Sequence, residues 1–240
     1  MKSRPGVALM LAVWFVAVLG AISAALVAAT RGSESLALNL KAGAQARRAA
    51  ESGAVMAVSA LEQRLAITRD DTVRRALLNS LEKSSSRADE IALGEERFAF
   101  TYVDVNSRLD INWASVPQLS RLFQFFTSSV EATSAAELIH NHGMPFRSLD
   151  ALRSVPGLSL DLLTKAAPYL TVDGDGRIDA ASASDTVLTA AAGDAEYEPS
   201  RILIISRGWA SGNKLTHEVQ AVYGIEMNKL VLVHWRERDL

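Results

Sequence analysis

The sequence predicts an α+β fold in which a long N-terminal helix packs on a small antiparallel sheet, with a helical module inserted between the strands. Three observations support this prediction. Residues 7–67 join an uncharged apolar run to a stretch of helical periodicity. Residues 96–105 and three segments within 201–235 have the alternation and branched or aromatic content of strands. Residues 106–196 lack that alternation and contain several short helical patterns.

Composition excludes several classes of protein. The 240 residues carry 25 Lys and Arg against 27 Asp and Glu, a net charge of −2. This balance argues against a protein that binds nucleic acid through overall positive charge. The chain has no cysteine, which excludes disulfides, cysteine-ligated zinc, iron–sulfur clusters and thiol nucleophiles. Its 4 histidines leave few ways to build a histidine-based site.

The first element is a candidate membrane helix over residues 7–30, a run of 24 residues without a charge. Such a helix is about 36 Å long, enough to cross a bilayer core of about 30 Å. Lys2 and Arg4 precede it and predict a cytoplasmic N-terminus. The alternative is a removable secretory signal, but the apolar core of those signals is normally only about 7–15 residues long.

Helical character continues through residues 31–67 with an amphipathic pattern. Apolar residues recur at near-helical spacing, among them Leu36, Leu40, Leu61 and Leu65. We therefore expect one helix over residues 7–67. Two helices with a break near Arg31 and Gly32 are the alternative.

The remaining sheet domain is predicted on both sides of the inserted module. Residues 70–94 are typical of a polar helix and loop, and residues 96–105 of a strand with Phe98, Phe100 and Tyr102 on one side. After the module, strands at 201–209, 215–223 and 230–235 form a meander, with turns at residues 211–213 and 226–228.

The module is predicted to contain helices at residues 117–126, 134–141, 159–169 and 185–192, the second of them capped by Ser134. The turn at residues 155–158, Val-Pro-Gly-Leu, resembles a helix-hairpin-helix motif, which grips DNA phosphates with backbone N–H groups. Ser159 stands where DNA-binding versions usually have a second glycine. Residues 104–179 also have a net charge of −3, so a packing module is favoured over DNA binding.

Two further patterns are candidate metal sites. Asp173, Asp175 and Asp179 resemble the first half of a calcium loop, but Ser184 stands where an EF-hand has its last glutamate. A tight turn is therefore favoured and calcium remains the alternative. His140 and His142 point about 200° apart on a helix and do not share a ligand face. No catalytic constellation stands out, so the sequence predicts a protein that is not an enzyme.

In this order the segments resemble a known family. A basic leader ending in Gly6, followed by Val7-Ala8-Leu9 and a long apolar helix, is similar to substrates of prepilin peptidase. Leu11 stands where most pilins and pseudopilins have glutamate and the K subunits do not. The runs at residues 104–112, 146–158 and 168–179 resemble the strand-to-module junction and the inserted domain of minor pseudopilin K of type II secretion systems. The resemblance covers nearly the whole chain.

The resemblance implies a pseudopilin fold and a structural role. Cleavage would fall between Gly6 and Val7, so residues 1–6 are the leader. Residues 7–30 would span the inner membrane, and residues 31–67 would form the periplasmic half of the helix. Residues 68–105 and 197–240 would form the pseudopilin domain around an inserted module at 106–196.

The family's partners and cofactor use follow from the same resemblance. The chain would cap the pseudopilus with minor pseudopilins I and J, above the major pseudopilin and the inner-membrane assembly platform. No cofactor and no nucleic acid is implied. We expect Ala44, Ala46, Ala50 and Ala54 to form a small-residue face that contacts a partner helix. A type IV pilus minor pilin is the main alternative, and a membrane-anchored DNA-binding protein is a weaker one.

Overall fold

The computed structural model describes residues 5–68, 70–85, 90–143, 145–193, 199–210, 216–226 and 228–240. Helix α1 is continuous over Pro5–Ile67, so the single helix predicted for residues 7–67 is confirmed and no break occurs near Arg31 and Gly32. Residues 1–4 of the predicted leader lie outside the described residues, as do the first predicted meander turn and Met227 of the second.

A five-stranded antiparallel sheet follows, with the strand order β1-β2-β5-β6-β7. Helix α2 precedes it in the chain. The predicted antiparallel sheet is confirmed, and the short edge strand β1 is an addition that the sequence did not predict. The bounds are α2 Asp71–Ser85, β1 Ile91–Leu93, β2 Glu96–Asp104, β5 Arg201–Ala210, β6 Thr216–Glu226 and β7 Lys229–Asp239.

Helix α1 covers one face of this sheet and forms its hydrophobic core there. Leu61 and Leu65 of α1 are buried with Tyr102, Ile202 and Ile204 of the strands. The Tyr102 hydroxyl donates to the Ala57 carbonyl at 2.8 Å, which ties the sheet to the helix backbone.

The inserted module has its own core. Leu119, Leu122, Phe123, Leu152 and Leu170 are fully buried in it. A two-residue parallel bridge, which the sequence did not predict, joins residues 109–110 at the start of the module to residues 170–171. The bounds are β3 Leu109–Asp110, α3 Val116–Phe123, α4 Ser129–His140, α5 Leu160–Ala166, β4 Leu170–Thr171 and α6 Asp185–Ala191, with 3₁₀ turns at Val105–Ser107, Leu149–Ser154 and Ala167–Tyr169.

One predicted helix start in the module is wrong. Helix α4 begins at Ser129, because the Ser128 side chain caps it by accepting from the Glu131 N–H. Ser134, the predicted cap, lies inside the helix. Ser128 and Ser134 are each followed by a glutamate three residues later, and the helix begins after Ser128.

Candidate assembly interface

The N-terminal part of α1 has the length and composition of a membrane span. Residues 9–27 have a mean hydropathy of 2.5 and none of them is buried inside the protein. It is the one such helix in the described part of the chain. Leu11 lies within it and is 53% exposed. The segment fits a single-pass membrane anchor, as the sequence predicts.

Small residues let the C-terminal half of α1 approach the sheet closely. A Cβ atom at Gly208 of β5 would collide with the backbone of Ala46 and Ala50 and lie 2.8 Å from the carbonyl carbon of Ala49. One turn further along the helix, a Cβ atom at Gly53 would lie 2.7 Å from the Phe98 ring. The alanine and glycine content of this helix face therefore serves the contact with the chain's own sheet.

This packing corrects the predicted partner-helix contact. Ala46 is 1% exposed, and Ala50 and Ala54 are fully buried against the sheet, where they contact Val219. Because the sheet already covers these three residues, they are not available to a partner helix. Ala44 alone of the predicted set is exposed.

Helix α1 also carries large apolar side chains that the sheet does not cover. Leu36, Leu38 and Leu40 are each more than half exposed, and Val55 is 66% exposed. Val55 lies in an open groove of about 630 Å³ that runs along the helix surface. The lining residues are Glu51, Ser52, Val55, Met56, Ser59, Ala60 and Gln63. A surface of this kind is typical of a contact with another helix.

Polar contacts hold α1 against the sheet at both ends of their contact. The Arg47 guanidinium forms ion pairs with Glu51 on its own helix and with Glu237 of β7, each at an N–O distance of 2.9 Å. Near the other end, the Leu230 N–H donates to Glu62 at 3.1 Å. These contacts fix the position of α1 on the sheet.

Asn106 joins the module to the sheet domain. Its Nδ2 donates to Asp175 Oδ1 and to the Arg177 carbonyl, both at 3.0 Å. Its Oδ1 accepts from the Ser200 N–H at 3.0 Å and the Arg201 N–H at 2.8 Å. One buried side chain thereby connects the beginning of the module with the loop between β4 and α6 and with the start of β5.

A buried acidic pair lies beside this connection. Ser182 Oγ donates to Asp104 Oδ2 and lies 2.8 Å from Asp179 Oδ2. Burial, together with the neighbouring Asp179, raises the pKa of Asp104 to about 7. Burial likewise raises the pKa of Asp110 to about 6.

The three calcium candidates do not converge on one point. Asp173 bonds the Arg236 guanidinium, and Asp179 is fully buried beside Ser182. Burial opposes ionisation of Asp175, but hydrogen bonds from Ser200, the Arg177 N–H and Asn106 outweigh it and lower its pKa. Among the described residues, no group of three or more His, Cys, Asp or Glu side chains is placed to hold a metal ion.

The two histidines of the module are also separate. His140 is the exposed last residue of α4, whereas His142 stacks on Phe146 with ring centroids 4.8 Å apart.

The hairpin-like turn packs on the module through the buried Val155, while Pro156 and Gly157 are exposed. Gly157 has a φ of +86°, which favours glycine, and a Cβ there would lie 3.4 Å from the Leu138 side chain. Ser159 caps the following helix α5. Asp150 lies at the start of the 3₁₀ segment Leu149–Ser154 before the turn, and Asp161 lies in the first turn of α5 after it. These contacts favour the packing role, and the absence of DNA binding stays a prediction.

No family model matches the chain, and no curated protein matches it. The structure is similar to a chain of the GspK-GspI-GspJ complex from the Type 2 Secretion System of enterotoxigenic Escherichia coli. The TM-score is 0.52 at 11% sequence identity, and the match covers 70% of this chain and 92% of that chain. The long helix, the five-stranded antiparallel sheet and this likeness together define a pseudopilin-like fold.

Proposed function

We propose that this chain is a minor pseudopilin of a type II secretion system that caps the periplasmic pseudopilus and supports its assembly for protein export. The observation that carries the proposal is the fold likeness to a chain of a complex of GspK, GspI and GspJ, which covers 92% of that chain. The role is that of a structural subunit and needs neither catalysis nor a cofactor.

The membrane arrangement follows from the first helix. Residues 9–27 cross the inner membrane, and Lys2 and Arg4 keep the N-terminus in the cytoplasm. The sheet domain and the module are then periplasmic. Partner subunits I and J meet the chain through the exposed face of α1 around Val55 and Met56, because its alanine face is already covered.

Two features favour a position at the tip. The module at residues 106–196 is a bulky addition to a small sheet domain, and inside a helical stack it would clash with a neighbour. Leu11 supplies no membrane carboxylate to pair with the N-terminal amine of another subunit. A carboxylate there would cost about 2.5–3.5 kcal/mol, which an end subunit has no neighbour to offset.

Processing by prepilin peptidase is part of the proposal. The basic leader ending in Gly6 motivates cleavage between Gly6 and Val7. Intact-mass analysis of membrane-extracted protein is expected to show the loss of residues 1–6. Replacing Gly6 by a bulky residue should leave the precursor uncut. The control variant Ser3→Ala should be cleaved normally. A mature chain that keeps Met1 or begins near Arg31 would contradict this processing.

Co-assembly tests the function. The full-length chain in detergent, mixed with pseudopilins I and J of the same secretion system, is expected to form a one-to-one-to-one complex by light scattering. A chain that remains alone, or that forms only homopolymers, would overturn the proposal. Assembly with type IV pilus minor pilins but not with I and J would support the alternative pilus role.

A further inference from the structure

An open groove of about 530 Å³ lies between the module and the face of the sheet that α1 does not cover. Its size is within the usual range of binding sites. The sheet contributes Leu203 and Ile205 of β5, and the module contributes Leu149 and Val172 from two different segments. Asn106, and Arg236 through its bonds to Arg147 and Asp173, hold the module beside the sheet at the groove.

The floor of the groove is apolar. Leu203 and Ile205 point away from α1 and remain half-buried on a face where a strand normally presents polar side chains to water. Leu149, Leu170 and Val172 form the facing wall. An apolar side chain placed between these walls would lose its contact with water on two sides.

The groove lining carries three arginines against three acidic residues, so the charge it presents to a ligand depends on which of them are already paired. The fully buried Glu218 carboxylate forms ion pairs with Arg207 Nε and Arg238 Nη2, each at an N–O distance of 2.6 Å. Among the described residues, the Arg108 side chain forms no ion pair or hydrogen bond. The acidic side chains that line the groove are each engaged by an arginine: Asp150 by Arg153, Asp173 by Arg236 and Glu237 by Arg47.

The outer edge of the sheet lies at one end of the groove. Arg236 and Arg238 belong to β7, which pairs only with β6 among the described strands. A main chain lying along this end can therefore hydrogen-bond to the open edge of β7, which favours an extended peptide over a small anion.

We propose that this groove binds an extended acidic segment of a partner protein. A carboxylate of the segment bonds the guanidinium of Arg108, and a neighbouring apolar side chain lies on Leu203 and Ile205. Arginine suits this contact because its planar guanidinium can meet a carboxylate with two hydrogen bonds. The inference concerns a different surface from the exposed face of α1 and does not depend on assembly with I and J.

Fluorescence anisotropy tests the proposal with the full-length chain in detergent. The probe is a fluorescein-labelled peptide of alternating aspartate and leucine residues. We expect saturable binding that Arg108→Glu weakens by about tenfold or more, since a hydrogen bond to a charged group contributes about 1.5–3 kcal/mol. A peptide with lysine in place of aspartate should not compete.

Matched variants separate the groove from general charge effects. Arg97→Glu makes the same charge change on β2, outside the groove lining, and should leave peptide binding within about twofold. Arg108→Gln perturbs the fold less than Arg108→Glu and should still weaken peptide binding. Ile205→Ser tests the contribution of the apolar floor to peptide binding. Circular dichroism confirms folding of each variant.

Two outcomes would overturn the proposal. One is the absence of saturable peptide binding to the wild-type chain. The other is equal weakening by Arg97→Glu and Arg108→Glu, which would show attraction by overall charge alone. Arg108→Glu should leave the complex with I and J intact, and loss of that complex in this variant would contradict the separation of the groove from the assembly surface.

Discussion

Gly208 determines how closely α1 approaches the sheet. It lies opposite the backbone of Ala46 and Ala50, where no Cβ atom fits. The clashing atoms belong to a helix backbone and cannot rotate away as a flexible side chain would. A methyl group here must therefore push the helix off the strands.

We predict that Gly208→Ala lowers the free energy of unfolding by about 1–3 kcal/mol because of this overpacking. Gly224→Ala on β6 is the control, since its nearest neighbour is a side-chain atom of Val233 at 3.7 Å. Urea unfolding followed by circular dichroism measures both. Equal stability of the two variants would contradict the close packing of α1 on β5.

Glu218 is a fully buried carboxylate on the other face of the sheet. It accepts from Arg207, Arg238 and the Gln220 amide. Burial opposes its ionisation, but these hydrogen bonds outweigh burial and lower its pKa below the usual 4.5. A lowered carboxylate pKa stabilises the fold above the unfolded-state pKa, and the stabilisation is lost as the pH falls through the folded-state value.

We therefore predict that Glu218→Gln destabilises the chain at neutral pH by about 1–3 kcal/mol, the range for a hydrogen-bonded charged group. The difference from the wild type should shrink as the pH falls below about 4.5. Unfolding midpoints across this pH range check it. Glu226→Gln, an exposed change on the same strand, should have no such effect, and a pH-independent difference would contradict the ionised role of Glu218.

At the scale of elements, α1 has two faces with different tasks. The alanine face is buried against β5 and β6, and the face with Val55 and Met56 is exposed. A charge on the first face damages the fold, whereas a charge on the second face affects only what binds there.

We predict that Ala50→Glu lowers stability by about 3–5 kcal/mol, because it buries an unpaired charge. Val55→Glu should change stability by less than about 0.5 kcal/mol and should weaken the complex with pseudopilins I and J. Thermal unfolding and light scattering of both variants measure the two effects. If Val55→Glu leaves the complex unchanged, the exposed face of α1 is not the contact.

The sequence predicted the elements that depend on long local patterns. The continuous apolar and amphipathic run specifies α1, and the alternation at Phe98, Phe100 and Tyr102 specifies β2. It did not predict β1 or the bridge between Leu109 and Leu170, because two or three residues pair only once the surrounding fold brings them together.

The candidate interface was predicted less well, for a physical reason. Small residues such as Ala46 and Ala50 permit close approach to any backbone, whether that of a partner helix or of the chain's own sheet. The missing signal was Gly208, whose position opposite these alanines identifies the sheet as their partner. The groove beside Arg108 could not be foreseen either, since its walls come from segments far apart in the sequence.

At the scale of the whole molecule, the inserted module is the feature on which the proposed tip position depends. Asn106 fixes the module at one end of the sheet domain, through bonds to the loop between β4 and α6 and to the residues at the start of β5. The module is therefore a rigid part of the subunit rather than a domain on a free linker. In the proposed assembly, a rigid module of this size fits at the end of a stack of subunits and would clash with neighbours inside it.

The position of this chain along overproduced pseudopili is the most direct test of the proposed tip role. Immunogold labelling of an epitope placed after Leu240, seen by electron microscopy, measures that position. The account predicts label at one end of each filament. Label distributed along the length would contradict it.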